Sequence, residues 1–168
     1  MNSGKELKWS DLISPTMTPE EYLKIFGDNA KKVYKNYEPK SNVIEKVRNL
    51  LKNKNEKLRI VALGAEWCPD CNRNVPSMIK IVENIKTENI EFRILYGIMV
   101  NGLHKSGRKI WHKTRSPPEA TDPKFDLKAI PTFYFFNNSG EYLDVIVENP
   151  GYQSTLEEDF LKILEKSL

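Results

Sequence analysis

Apolar side chains recur at helical spacing through the first third of the chain. The segment Thr18-Pro19-Glu20-Glu21 has a capping threonine, a proline at the first helical position and a glutamate three residues after the cap, which together are typical of a helix N-terminus. A second helical period begins near Ser41 and is predicted to end by Asn55. Its apolar positions are Val43, Ile44, Val47, Leu50 and Leu51. Two helices are therefore predicted before residue 56.

From residue 58 onward the pattern alternates between strands and helices. In chain order it predicts a buried strand at 58–64, a helix at 69–86 and a strand at 91–96. A helix plus loop follows across 101–123. The chain then forms a hairpin of strands at 131–136 and 142–147 and a last helix after a capping box at 154–157. This order predicts an α/β fold with a mixed central β-sheet flanked by helices. We expect one domain over residues 56–168 and an N-terminal helical extension over residues 1–55 packed on it. The extension is expected to cover a sheet edge rather than to bind a partner.

The net charge of the chain limits the kinds of binding partner that the sequence supports. The 26 basic residues exceed the 23 acidic ones by only three, too few to indicate nucleic acid or an anionic membrane as the main partner. The basic segment 104–115 is expected to be a solvated helix face. Because no apolar run is long enough for a signal-peptide core or a membrane span, we expect a cytoplasmic protein without a membrane partner. We also expect a monomer.

Two cysteines carry the candidate chemistry. Cys68 and Cys71 are the only cysteines, three positions apart, so no disulfide framework holds the fold together, and in a reducing compartment the pair indicates redox cycling or metal binding. The pair directly follows the strand predicted at 58–64 and lies where the next helix begins. Cys68 is then at the cap position, where unpaired N–H groups and the helix dipole stabilise a thiolate.

The spacing also predicts how the two sulfurs work together. Pro69 presets the helical backbone, and Cys71 returns one turn later on the same side as Cys68, so the sulfurs can meet. We expect Cys68 to be the exposed thiolate that attacks a substrate disulfide and Cys71 to resolve the mixed disulfide. Asp70 between them favours the helix start but disfavours the neighbouring thiolate, and the sequence does not rank these effects.

A metal site is the main alternative for this pair. Cys68 and Cys71 could supply half of a zinc site, with His104 and His112 as nitrogen ligands. The two histidines are eight positions apart, longer than the roughly three to five of common zinc motifs, and a strand-to-helix setting suits redox chemistry better. We therefore expect no metal and no organic cofactor, with the Cys68–Cys71 disulfide as the redox element. Inert buried cysteines are disfavoured by the polarising helix start.

Three motifs, in order, resemble the thioredoxin family, and the likeness covers roughly residues 57–167. Ala65-Glu66-Trp67-Cys68-Pro69-Asp70-Cys71 resembles the family's active-site segment, in which a tryptophan precedes the nucleophilic cysteine. Pro76 matches the family's helix-kinking proline. Ala129-Ile130-Pro131-Thr132-Phe133 resembles the segment that carries its cis-proline. The resemblance implies a thioredoxin-like fold.

The resemblance also implies roles for individual residues. Cys68 would be the nucleophile and Cys71 the resolving thiol. The implied substrate-binding residues are Trp67, Pro69, Asp70, Ile130 and Pro131, with the Ile130 backbone available for strand-like pairing. A cis bond before Pro131 is implied as well, whereas without the cysteine motif a trans proline opening an edge strand would be expected.

Two departures from the family pattern bear on the chemistry. Typical thioredoxins have glycine and proline between the cysteines, where this chain has Pro69 and Asp70, so redox potential and substrate range stay open. Ala62 stands where the family has a buried acidic residue. Help in deprotonating the resolving thiol must therefore come from Glu66 or water, or be absent.

We therefore expect a thiol-disulfide oxidoreductase that reduces disulfides in proteins or small thiol compounds, with an external reductase or thiol pool as electron donor. Two alternatives belong to other classes. One is a thioredoxin-fold binding module whose cysteine pair senses redox state without turnover, and the other is a metal-binding protein.

Overall fold

The described part of the chain forms five α-helices and four β-strands. The computed structural model describes residues 6–102 and 110–168. The helices are α1 (Pro19–Ile25), α2 (Gly27–Asn36), α3 (Ser41–Lys54), α4 (Pro69–Ile85) and α5 (Leu156–Ser167). The strands are β1 (Leu58–Leu63), β2 (Ile90–Leu95), β3 (Thr132–Phe136) and β4 (Tyr142–Val147).

The strand β1 is a central strand of a four-stranded sheet in the order β2-β1-β3-β4. It runs parallel to β2 and antiparallel to β3, and β3 pairs antiparallel with β4. Because both faces of β1 are covered, its sequence is almost entirely apolar, and residues 60–63 have no exposed surface. The predicted mixed sheet with flanking helices is confirmed, and the carboxyl end of β1 leads the chain directly to the cysteines.

Successive residues of the strands pack into two different layers. On one face Phe135 packs edge-on against Phe160 of α5, with ring centroids 5.2 Å apart, and α3 and α4 pack against α5. On the other face Phe136 packs edge-on against Trp9, with ring centroids 5.4 Å apart. The four aromatic residues at 133–136 are all buried, so they fill the core on both faces of the sheet.

The N-terminal helices share the core of the sheet. α2 packs against α4, and α3 packs against α5. Their buried side chains are Tyr22, Ala30, Val43, Ile44, Val47 and Leu51. Before α1, Met17 exchanges two backbone hydrogen bonds with Ile94 of β2, at 2.8 and 2.9 Å. Since β2 is an edge strand, this pairing covers part of that edge, which is the role that the sequence favoured for this segment.

Within residues 6–55 the structure has three α-helices, whereas the sequence analysis predicts two. The additional helix, α2, has its apolar positions at helical spacing, at Ala30, Val33, Tyr34 and Tyr37. It was missed because the usual start signals are absent. Only Phe26 separates it from α1, its first residue is Gly27 with φ of +59°, and no side chain caps it.

Two helix starts test the capping motifs. At α1 the predicted box is confirmed, since Thr18 and Glu21 each accept a hydrogen bond from the other's backbone N–H. At α5 the box predicted at 154–157 is wrong by one residue, because the cap is Thr155 and its partner is Glu158. Two adjacent hydroxyl residues and two adjacent glutamates fit the motif in either register, so the sequence alone cannot choose between them.

The helix-plus-loop prediction for residues 101–123 is not met in the part that the structure describes. Residues 110–123 contain one helical turn, at Pro118–Ala120, and Trp111 bridges to Val100. Trp111 is only 7% exposed, and its Nε1 donates to the carbonyl oxygen of Leu127 at 2.7 Å. The expectation of a solvated helix face is therefore wrong for this residue, while residues 104–109 of the basic segment lie outside the described residues.

The packing of α3 predicts a large loss of stability when its buried face is truncated. Leu51 has no exposed surface, so Leu51→Ala should lower the free energy of unfolding by about 2–5 kcal/mol, through lost apolar burial and the cavity left behind. Urea denaturation followed by circular dichroism measures this change. The neighbouring exposed Lys52→Ala should change it by less than about 0.5 kcal/mol, and equal effects of the two variants would contradict the packing described for α3.

Candidate active site

Cys68 caps the start of α4, and Cys71 lies one turn inside the helix. The backbone N–H of Cys71 donates to Sγ of Cys68 at 3.1 Å, so this sulfur takes the place of the usual capping oxygen. Pro69 occupies the first helical position, where no N–H is needed. Both cysteines are free thiols. The structure thus brings the two predicted redox residues together at the junction between β1 and α4.

The two thiols differ in accessibility. Cys68 is 5% exposed and Cys71 is fully buried. The ranking agrees with the sequence analysis, but Cys68 is much less exposed than it predicts. The reason is the loop before β3, because the carbonyl oxygen of Ile130 lies 3.5 Å from Sγ of Cys68 and covers it. The exposed neighbour is Trp67, with 48% of its surface accessible.

Three loops converge around Cys68. Trp67, in the loop after β1, donates from Nε1 to the carbonyl oxygen of Ile98 at 2.9 Å, which fixes the indole against the loop after β2. The loop before β3 carries Ile130 and Pro131, which are joined by a cis peptide bond and both buried. The structure therefore places Trp67, Ile130 and Pro131 around the first cysteine.

Comparison with protein families gives this arrangement its context. A family model described as Thioredoxin matches residues 16–97, a segment that contains both cysteines. Residues 16–97 of the chain are therefore similar to the thioredoxin family. The matched segment also contains α1, α2 and α3, and it ends before Pro131. A search among curated protein sequences finds no significant match.

Solved structures with a similar fold include two named for thioredoxin. A thioredoxin from Fasciola hepatica is 19% identical, with 73% of this chain and 91% of that chain covered and a TM-score of 0.41. A thiol:disulfide interchange protein of the thioredoxin family from Chlorobium tepidum is 22% identical, with 66% and 79% covered and a TM-score of 0.43. A protein of unknown function from Pseudomonas aeruginosa is 17% identical, with 90% and 99% covered and a TM-score of 0.46.

The second thiol, Cys71, is held in its neutral form. Burial raises the pKa of Cys71, and the side-chain contact with Cys68 raises it further. A backbone hydrogen bond from Ala65 acts in the opposite direction, while the negative charge of Asp70 adds to the increase. Cys71 therefore needs help to ionise before it can act as a nucleophile.

Gly64, the residue after β1, makes room for the second thiol. A Cβ atom at this position would lie 3.0 Å from Sγ of Cys71 and 2.9 Å from Cε1 of Tyr96. Contacts this short force one of the neighbours to move, so only glycine fits at this close approach. Strand end, thiol and tyrosine ring thus meet at one point without space for a side chain.

Arg73 is a charged residue near the cysteines that the sequence analysis did not single out. Its guanidinium contacts the carboxylate of Asp70 and donates to Oδ1 of Asn149 at 2.8 Å. The adjacent Asn74 is buried and donates from Nδ2 to the carbonyl oxygen of Glu148 at 2.8 Å. The first turns of α4 are thereby tied to the segment after β4. The i, i+3 spacing of Asp70 and Arg73 is visible in the sequence, but the partners after β4 are not.

Deprotonation of Cys71 has no obvious carboxylate assistant. Ala62 is fully buried on β1 and carries no functional group. Glu66, the carboxylate that the sequence offers as an alternative, is exposed to solvent, whereas Cys71 is fully buried. Two tyrosines are present on the buried side, since Tyr96 borders Gly64 next to Cys71 and its hydroxyl oxygen lies 2.9 Å from that of Tyr22.

The histidines considered for a metal site are placed only in part. His104 lies outside the described residues. His112 accepts the backbone N–H of Arg115 through Nδ1 at 3.1 Å, which uses one ring nitrogen locally. Among residues 6–102 and 110–168, no three His, Cys, Asp or Glu side chains are grouped as a metal centre requires.

The close approach at Gly64 predicts a matched pair of glycine variants. Gly64→Ala should lower the free energy of unfolding by about 1–3 kcal/mol, because its Cβ overlaps Cys71 and Tyr96. Gly102→Ala is the control, since a Cβ there meets no atom within 4 Å, and its effect should stay below about 0.5 kcal/mol. Urea denaturation of both variants gives the comparison. A Gly64→Ala protein as stable as the control would mean that this contact is not as tight as described.

Proposed function

We propose that this protein is a thiol-disulfide oxidoreductase that reduces disulfides in proteins or small thiol compounds by exchange at Cys68 and Cys71. The observation that carries the proposal is the hydrogen bond of 3.1 Å from the N–H of Cys71 to Sγ of Cys68 at the start of α4. A helix N-terminus stabilises negative charge on a sulfur held in this way. The match of residues 16–97 to the thioredoxin family agrees with thiol-disulfide chemistry.

The proposed reaction proceeds in two exchange steps. The thiolate of Cys68 attacks one sulfur of the substrate disulfide, the substrate S–S bond breaks, and the other substrate sulfur leaves as a thiolate that takes a proton from solvent. Cys71 then loses its proton to solvent and attacks Sγ of Cys68, which releases the remaining substrate sulfur. The substrate gains two electrons, and the protein is left with a Cys68–Cys71 disulfide.

The residues around Cys68 are proposed to hold the substrate chain. Trp67 offers an exposed ring, and Pro69 and Asp70 follow at the start of α4. On the other side, Ile130 and Pro131 lie in the loop whose carbonyl contacts the attacking sulfur, and an extended substrate segment could pair with the backbone of Ile130.

The redox cycle requires an external electron donor. We propose a reductase or a thiol pool in that role, with no metal or organic cofactor and a monomeric protein in the cytoplasm, without nucleic-acid or membrane partners. Among the described helices, none combines the length and the apolar character needed to cross a membrane.

Reduction of insulin disulfides tests the proposed activity. With dithiothreitol as donor, the wild-type protein should accelerate insulin precipitation, and Cys68→Ser should return the rate to that of dithiothreitol alone because the attacking sulfur is lost. Thermal unfolding of both proteins controls for loss of fold. Absence of Cys68-dependent turnover with dithiothreitol and with a reductase system would contradict the proposal and favour the redox-sensing module.

Removal of the resolving thiol should trap substrates. In Cys71→Ser, Cys68 can still attack a substrate disulfide, but no second thiol resolves the mixed disulfide, so the covalent adduct should accumulate. Incubation with oxidised insulin and non-reducing electrophoresis would show the adduct, which dithiothreitol should remove. The Cys68→Ser/Cys71→Ser double variant should form no adduct. If it forms as much adduct as the Cys71→Ser variant, the trapping does not report exchange at Cys68.

A further inference from the structure

Two hydrogen-bonded tyrosines, Tyr22 and Tyr96, lie near the second thiol, the first fully buried and the second partly buried. Tyr22 comes from α1 and Tyr96 directly follows β2, and their hydroxyl oxygens are 2.9 Å apart. The rings meet edge to face, with centroids 5.2 Å apart. Tyr22 has no exposed surface. A buried hydroxyl costs free energy unless it is hydrogen-bonded, and here one hydroxyl donates to the other.

The pair borders Cys71 rather than lying elsewhere in the core. The position that a Cβ of Gly64 would take is 2.9 Å from Cε1 of Tyr96 and 3.0 Å from Sγ of Cys71. Ring edge and sulfur therefore flank the same small space. The hydroxyl of Tyr96 is attached to the ring carbon next to Cε1, so it lies on the same side of the ring as this space.

The charges of the two thiols act on the pKa values of the two tyrosines. Burial raises the pKa of Tyr22 to about 12, and the pKa of Tyr96 is raised further for the same reason. Negative charge on Cys71 or Cys68 adds to both increases. Both hydroxyls consequently keep their protons at neutral pH and can act as donors.

Ionisation of Cys71 needs such a donor. Of the titratable groups that act on it, Cys68 and Asp70 both oppose the thiolate. The backbone of Ala65 favours it, and Tyr22 and Tyr96 are neutral hydroxyl groups close enough for the charge of Cys71 to raise their pKa values. A pair of hydroxyls has two protons and uses only one between its members, so one O–H is left to turn toward another acceptor. A thiolate is a much stronger acceptor than a thiol.

We propose that the Tyr22–Tyr96 hydroxyl pair positions a proton donor that stabilises the sulfur of Cys71 as it becomes a thiolate. The inference rests on the proposed function, in which Cys71 resolves the mixed disulfide. Both tyrosines are positioning residues, since they act through Cys71. The N-terminal helix α1 then contributes to the resolving step as well as to the core.

The resolving step can be observed separately from the attack. Reduced protein mixed with Ellman's reagent releases one coloured thiolate when Cys68 attacks and a second when Cys71 resolves the mixed disulfide. Stopped-flow absorbance across a pH series gives the rate of each phase and the pH midpoint of the second. This readout depends on the two cysteines alone and requires no physiological substrate.

Tyr96→Phe should slow the second phase about tenfold at neutral pH and move its midpoint about one pH unit upward, the size expected for one hydrogen bond to a charged group. The first phase should keep its rate. Tyr22→Phe should act in the same direction, because it removes the partner that orients Tyr96. The double variant should be no slower than the slower single variant, since the hydroxyls act as one unit.

Tyr134→Phe provides the matched control. It also removes a buried hydroxyl, one that donates to the carbonyl oxygen of Phe125 at 2.8 Å, and it should lower stability while leaving the second phase unchanged. A second phase of Tyr96→Phe with the wild-type rate and midpoint, or one altered no more than in Tyr134→Phe, would overturn the proposal. Lack of a second phase in the wild-type protein would overturn it together with the proposed function. Two normal wild-type phases without insulin reduction would overturn the proposed function alone.

Discussion

The hydrogen bond from the N–H of Cys71 to Sγ of Cys68 connects the fold with its chemistry. It exists only if the chain leaves the sheet at the end of β1 and begins α4 after the short segment 64–68, with Pro69 at the first helical position, where no N–H is needed. A longer loop or a frayed helix start would move the donor away from the sulfur. The packing of α4 against the sheet and the neighbouring helices therefore serves to hold one backbone N–H in place.

The two thiols differ in their burial and in their hydrogen-bond surroundings. Cys68 caps α4 and keeps 5% of its surface exposed, with a backbone donor facing its sulfur, whereas Cys71 is fully buried next to the end of β1 and the ring of Tyr96. An exchange reaction benefits from this inequality, because the attacking sulfur must be ionised first and the resolving sulfur only after the mixed disulfide has formed. Gly64 allows the enclosure to be tight, since any side chain there would separate the sulfur from the ring.

Local features of the site were predictable from the sequence, and features that depend on tertiary packing were not. The cysteines, Pro69, the strand before them and the cap of α1 follow from motifs whose physics acts within a few residues. Arg73 contacts Asn149, and Tyr22 contacts Tyr96, across sequence distances that no local pattern encodes. Glu148 adopts a left-handed φ of +64°, a conformation that the sequence would assign to glycine or asparagine.

The N-terminal segment packs on the sheet domain through both edge contacts and buried side chains. Met17 pairs with the edge of β2, Tyr22 is fully buried beside Tyr96, and Leu51 is fully buried in the same hydrophobic core as the strands. A mobile appendage would leave these contacts exposed for part of the time and would lose the apolar burial that stabilises the core. The family match beginning at residue 16 includes all three helices, in agreement with this packing. The boundary predicted at residue 55 therefore separates two patterns of hydrophobic spacing, while the core on both sides of it is continuous.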